Sequence, residues 1–217
     1  MESILDEICK AVIGGDAVIA KELTEKAVAQ SIVPQRIFKE ALGPGMDEVG
    51  RKMETGECFI PEVMLSARAM KTASEVLRPL IAQNGSAKTL GRVLFGTVEG
   101  DLHDIGKNLV IMLLKATGFE VIDLGINVPT EQFIEKVKEE KPDILAMSAL
   151  ITTTMGKMEE VIKSLHAANC RENTIVMVGG APINQEFAQE IGADGYAGDA
   201  GSAARLAKRL LTNRSRH

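Results

Sequence analysis

Two four-residue runs, Ile144-Leu145-Ala146-Met147 and Ile175-Val176-Met177-Val178, show no polar face to water. A strand with one solvated face alternates apolar and polar residues, so unbroken runs require cover on both faces, as in a parallel sheet flanked by helices. The same reading places strands at Arg92 to Val98, Glu120 to Leu124, Asp143 to Met147 and Thr174 to Val178, with a weaker fifth at Gly195 to Ala197. Amphipathic stretches fill the gaps: Ile105 to Ala116, Thr130 to Glu140, Met155 to Ala168, Asn184 to Ile191 and Asp199 to Leu211. Strand and helix in alternation predict a doubly wound, five-stranded parallel sheet of the flavodoxin-like kind. Ligands of such sheets lie beyond the carboxyl ends of the strands, so the loops after each strand are where chemistry is expected.

Residues 1–83 follow a different rule. Apolar side chains recur every three or four positions, as in Ile4, Ile8 and Val12, and in Val63, Met64, Ala67, Met70, Val76 and Leu77. Four helices fit: Gly14-Gly15-Asp16 separates the first two, and Pro34 and Pro61 suit the first turns of the third and fourth. The polar, turn-rich stretch 84–89, with Asn84-Gly85-Ser86, reads as a linker, which leaves 90–217 to the α/β domain.

Composition narrows the function. With 217 residues, 45% apolar, 25% charged and a net charge of −5, the chain reads as two ordinary soluble domains with no basic surface for nucleic acid. No apolar run is long enough to span a bilayer, and Glu2, Asp6 and Glu7 stand where a signal peptide would be basic, so a cytoplasmic protein is expected. Three widely spaced cysteines (Cys9, Cys58, Cys170) and three histidines supply neither a disulfide framework nor a multi-histidine metal site.

The loop after the first strand reads Glu99-Gly100-Asp101-Leu102-His103-Asp104-Ile105-Gly106. A neutral imidazole is a good ligand for a borderline transition metal, and a carboxylate two residues earlier can accept the proton of its other ring nitrogen. Gly100 and Gly106 add no side chains and let a bulky group come close. Alternatively, His103 satisfies a helix N-terminus that Asp104 caps. Ser148-Ala149-Leu150-Ile151-Thr152-Thr153-Thr154 follows the third strand as a wall of hydroxyls, or simply as a helix start with Thr154 as its N-cap. Gly179-Gly180-Ala181 after the fourth strand allows a flat ligand against the backbone, or is a plain turn.

Taken in order, D-x-H-x-x-G at Asp101 to Gly106, S-x-L at Ser148 to Leu150 and G-G at Gly179-Gly180 resemble the cobalamin-binding domain shared by cobalamin-dependent methionine synthase, the corrinoid proteins of methanol and methylamine methyltransferase systems, and the cobalamin mutases. Phe59-Ile60-Pro61-Glu62-Val63 with Ser66-Ala67-Arg68-Ala69-Met70 is similar to the helical cap of methionine synthase and of the corrinoid carriers. The resemblance spans residues 1–211 and implies a four-helix cap followed by a cobalamin-binding α/β domain.

It implies roles as well. His103 would be the lower axial ligand to cobalt once the nucleotide base has left. Asp101 would bond its distal nitrogen, and Thr154, where the family often has Ser, would complete the relay. Gly100, Asp104, Ile105, Gly106 and Ile151 would line the site; Ser148, Leu150 and Thr152 would flank the buried nucleotide tail, with Gly179, Gly180, Ala181 and the loop from Tyr196 to Ala200 closing it. Met53, Ile60 and Val63 would shield the methyl group from above, unless they are ordinary helical core. Methionine synthase has an aromatic residue in place of Met53, which implies a looser shield here.

The implied activity is that of a methyl carrier, not catalytic alone. Its partners would be a substrate:corrinoid methyltransferase, a corrinoid:tetrahydrofolate or similar acceptor methyltransferase, and a reductive activation protein. The small subunit of a cobalamin mutase is the enzyme alternative, but those subunits lack the helical cap. A cobalamin-based sensor is the regulatory alternative, and it would need a DNA-binding module.

Overall fold

A computed structural model describes residues 3–83 and 89–214, which form two compact units: a helical one before Thr89 and a sheet-containing one that begins there. The expected linker lies, except for Thr89, outside the described residues.

The helical unit comprises α1 (Ile4–Ile13), α2 (Ala17–Ala29), α3 (Pro34–Ile37), α4 (Gly43–Glu54) and α5 (Ile60–Gln83). Local chemistry sets its helix starts. Ser3 and Asp6 form a reciprocal capping box on α1, and the Asp16 carboxylate accepts the N–H groups of Val18 and Ile19 at 3.1 and 3.0 Å to open α2. Between α3 and α4 the chain stays helical through one widened, π-type segment, Phe38–Leu42. Pro44 follows it with no N–H to return to the preceding turn, and the wider turn accommodates that gap. Residues 34–54 are therefore one continuous helical stretch, so the unit contains the four helical segments expected. Ile8, Val12, Ile37, Leu42, Met46, Val63, Met70 and Leu77 are buried in it.

The second unit runs β1 (Arg92–Val98), α6 (Ile105–Ala116), β2 (Glu120–Val128), α7 (Thr130–Glu140), β3 (Ile144–Ser148), α8 (Gly156–Ala167), β4 (Ile175–Gly179), α9 (Gln185–Glu190), β5 (Gly195–Ala197) and α10 (Ala200–Arg214). All strands are parallel, in the order β2-β1-β3-β4-β5. The order reverses between β1 and β3, which makes the carboxyl ends of those two strands the natural binding crevice. Leu94, Leu145, Val176, Phe133 and Leu165 form the centre of the core on one face.

Most elements end within a few residues of where periodicity places them; β2 does not. It continues past Leu124 to Val128, with irregular pairing to β1 between Phe95 and Gly96 and again between Gly96 and Val98. Gly125 and Asn127 both carry positive φ, 87° and 51°, so the strand end is bent rather than stopped.

Candidate cofactor site

Strand register puts the three sequence motifs at one level of the sheet. Thr97 pairs with Ser148, Ser148 with Gly179, and Gly179 with Ala197, so the loops that follow leave from one row. Asp101, His103, Ser148, Leu150, Thr154, Gly179 and Gly180 thus all lie on the carboxyl edge of the sheet.

The centre of that edge is a carboxylate. Asp101 is fully buried, and each oxygen receives two donors. Oδ1 accepts the His103 backbone N–H at 3.0 Å and faces His103 Nδ1 at 2.7 Å. Oδ2 accepts the Leu150 backbone N–H at 2.6 Å and the Thr154 hydroxyl at 3.0 Å. Burial by itself would raise the pKa of Asp101. The backbone N–H groups of Leu150 and His103, the imidazole and the Thr154 hydroxyl outweigh it, and together they hold the carboxyl down to about 2 from an ordinary 3.8.

A carboxylate depressed in this way stabilises the fold above pH 4, and the stabilisation is lost as the pH falls through about 2. Its full size is about 2 kcal/mol, of which about 1 kcal/mol is gone at pH 3. Urea unfolding of the apoprotein at pH 5 and pH 3 should therefore show a fall that is about 1 kcal/mol smaller in Asp101→Asn than in the natural chain. Equal falls in both would show that Asp101 is not held in this way.

An ionised carboxylate at Nδ1 fixes the proton there and leaves Nε2 as the lone-pair donor. The His103 side chain is 52% exposed, so that donor is accessible. Around it stand apolar side chains that water does not favour: Leu102 is 67% exposed, Ile105 77%, Leu150 44% and Ile151 40%. One presented imidazole inside an apolar rim suits a metal ion that arrives in a large, flat organic ligand supplying most of its coordination. The residues present fit a corrinoid on that ground.

Thr154 does not cap α8: a short 3₁₀ turn, Thr152–Thr154, precedes that helix, Met155 occupies the N-cap position, and the hydroxyl turns to Asp101 and to the Ile151 carbonyl at 2.9 Å. Asp104 stands immediately before α6, where its carbonyl accepts the Asn108 N–H at 2.8 Å and its carboxylate the Asn108 side-chain amide at 2.9 Å. Gly180 is no plain turn residue: its φ is 134°, and a Cβ there would run into the Ala149 carbonyl. Ala200 is buried, Tyr196 half-buried, and Gly106 and Ala181 exposed. In the helical unit Ile60 is 44% exposed and Met53 half-buried, whereas Val63 is fully buried, as core packing requires.

Two residues at this edge carry no motif. The hydroxyl of Thr97, fully buried, donates to the His103 carbonyl at 3.0 Å and lies 2.9 Å from Ser148 Oγ, tying the first and third loops together. Asn127, from β2, contacts the backbone of Gly100 and Asp101. A hydroxyl at the end of a buried strand is the only signal that could have marked the first, and an Asn before Val-Pro the second.

Two B12 binding domain models match the chain, one over residues 91–206 and one over 4–78. The chain belongs to the B12-binding corrinoid proteins, and its cofactor is a corrinoid. It is 44% identical to the dimethylamine corrinoid protein 1 of Methanosarcina acetivorans over 97% of this chain and 98% of that one. Among solved structures it is similar to a cobalamin-binding protein from Desulfitobacterium hafniense, with a TM-score of 0.83 and 32% identity over 94% of this chain and 97% of that one. It is also similar to a methanol:cobalamin methyltransferase complex from Methanosarcina barkeri, with a TM-score of 0.77 and 35% identity over 96% of this chain and 80% of that chain.

Proposed function

We propose that this protein carries a methyl group on the cobalt of its corrinoid, with His103 Nε2 as the lower ligand in place of the nucleotide base. The observation that carries the reading is the pairing of an exposed imidazole with a fully buried carboxylate that accepts four donors. Cobalt, when bound, supplies a centre able to take a methyl group from one partner and yield it to another.

The chain's own residues do the rest. Asp101 keeps the Nδ1 proton in place and so keeps Nε2 basic. The Thr154 hydroxyl has one hydrogen for two acceptors, Asp101 Oδ2 and the Ile151 carbonyl. Turning it from one to the other adds or removes a donor from the carboxylate, and with Asp101 ionised a proton taken up by the His103–Asp101–Thr154 set would sit on His103 Nε2. Ser148, Leu150, Thr152 and the Gly179-Gly180-Ala181 loop are assigned to the nucleotide tail. Met53 and Ile60 are assigned to shielding the methyl group, whereas the burial of Val63 commits it to packing.

A carrier of this kind works with other proteins. The dimethylamine corrinoid relative and the methanol:cobalamin methyltransferase complex support a substrate:corrinoid methyltransferase as the loading partner. A corrinoid:tetrahydrofolate or similar methyltransferase would unload the group, and a reductive activation protein would restore the cofactor after oxidation. Apoprotein mixed with hydroxocobalamin and passed through gel filtration is expected to elute coloured. Elution without pigment would overturn the reading.

A further inference from the structure

The bent end of β2 reaches the histidine loop at two places, and the motifs account for neither. On one side, Asn127 Oδ1 accepts the Gly100 backbone N–H at 2.7 Å, and the Asn127 backbone N–H donates to the Asp101 carbonyl at 2.9 Å. On the other, Asp123 Oδ1 accepts the buried Lys107 ammonium at 2.6 Å and the Gly125 N–H at 2.9 Å. Lys107 sits in the first turn of α6, four residues beyond His103, so the loop is held at both ends by one strand.

Asn127 reaches its position only because its φ is 51°, a left-handed conformation that Asn tolerates better than most side chains. In ordinary β geometry its N–H would lie in the plane of the sheet and its side chain would stand out from one face. The bend turns both toward the Gly100-Asp101 pair, the side chain to the Glu99–Gly100 peptide before it and the N–H to the Asp101–Leu102 peptide after it. Held on both sides, the backbone of Asp101 sets where its carboxylate lies and, through the 2.7 Å contact with Nδ1, the plane of the His103 ring.

We propose that Asn127 is a positioning residue for His103, clamping the Gly100-Asp101 pair at the peptides on either side so that Nε2 is held in the direction from which it would bind cobalt. The inference rests on His103 being the ligand, and it adds a residue from the edge strand to a set otherwise drawn from the loops after β1 and β3.

The test uses full-length protein labelled with ¹⁵N-histidine, as apoprotein and after loading with hydroxocobalamin and reduction to Co(II). In the natural chain, bound ¹⁵N should split each cobalt line of the electron paramagnetic resonance spectrum into a doublet. Asn127→Gly keeps the left-handed backbone and removes the acceptor; Asn127→Ala removes it on a less tolerant backbone; Asn127→Asp restores it.

For the Gly and Ala variants we expect about tenfold weaker retention of hydroxocobalamin, the lower end for loss of an outer partner of a metal ligand, with the doublet reduced relative to unsplit signal. In the apoprotein the Nδ1–H proton of His103 should exchange with water about tenfold faster, following the weaker hold on its acceptor. Asn127→Asp should return all three readouts toward the natural values. A natural doublet with Gly and Ala variants unchanged in doublet and exchange rate would overturn the clamp, and so would Asn127→Asp behaving like the truncations. Absence of the doublet from the natural protein itself would instead remove the premise that His103 is the ligand.

Discussion

Gly180→Ala should lower the stability of the apoprotein by at least about 3 kcal/mol, enough to drop its melting temperature by roughly 6 to 12 °C. Two costs combine. A φ of 134° is reached almost only by glycine, and the added Cβ would overlap the Ala149 carbonyl, with the Ala149 carbonyl carbon 2.8 Å and its nitrogen 3.1 Å away. Those atoms are backbone, held by the Ala149 N–H bond to the Gly179 carbonyl at 3.2 Å, so no side chain can swing aside to relieve the overlap. Gly106→Ala is the matched control. Nothing lies within 4 Å of a Cβ there, and in a helix the change should be neutral or stabilising by up to about 1 kcal/mol. Thermal unfolding of the two apoproteins checks this; equal melting temperatures would mean that the loops after β3 and β4 do not meet as described.

His103→Ala is expected to do the reverse, leaving the apoprotein nearly intact and damaging the holoprotein. The side chain is half exposed, and Asp101 Oδ1 keeps the backbone N–H of residue 103, so the loss in unfolding free energy should be about 1 kcal/mol. Corrinoid affinity should fall by at least ~10 to 100-fold, or about 1.4 to 2.8 kcal/mol, since losing a mere outer partner of a metal ligand already costs that much. Some cofactor should remain through the contacts assigned to its nucleotide tail. The Co(II) spectrum of ¹⁵N-histidine-labelled variant should lack the imidazole doublet, and a doublet that persists would show that another residue is the ligand.

The two variants probe features of unequal legibility in the sequence. His103 was visible because D-x-H-x-x-G, S-x-L and G-G fall in order on loops that the strand pattern had already located. Gly180 was visible as a glycine, but not its need to be one, because the clash comes from Ala149 on a neighbouring strand. β3 and β4 could be placed because their continuous apolar runs have one physical explanation, and both are buried along all but their last residue. The far half of β2 could not: Gly125 and Asn127 look like a turn, and only pairing with β1 and bonds to the histidine loop show the strand continuing. The widened segment Phe38–Leu42 has no periodic signature, since it is a response to Pro44. Thr154 was ambiguous in principle, because a hydroxyl before a helix caps it unless a buried carboxylate competes, and Asp101 lies 53 residues away in the chain.

The two open margins of the sheet are unlike each other, and neither invites another strand. β5 offers only three residues, too short a template for a stranger's backbone to register against. β2 offers nine, but it carries Glu120 and Asp123 and departs from regular pairing after Asp123. Growth of the sheet by stacking copies side by side is therefore frustrated at both borders, a safeguard against aggregation that comes from brevity on one side and distortion on the other.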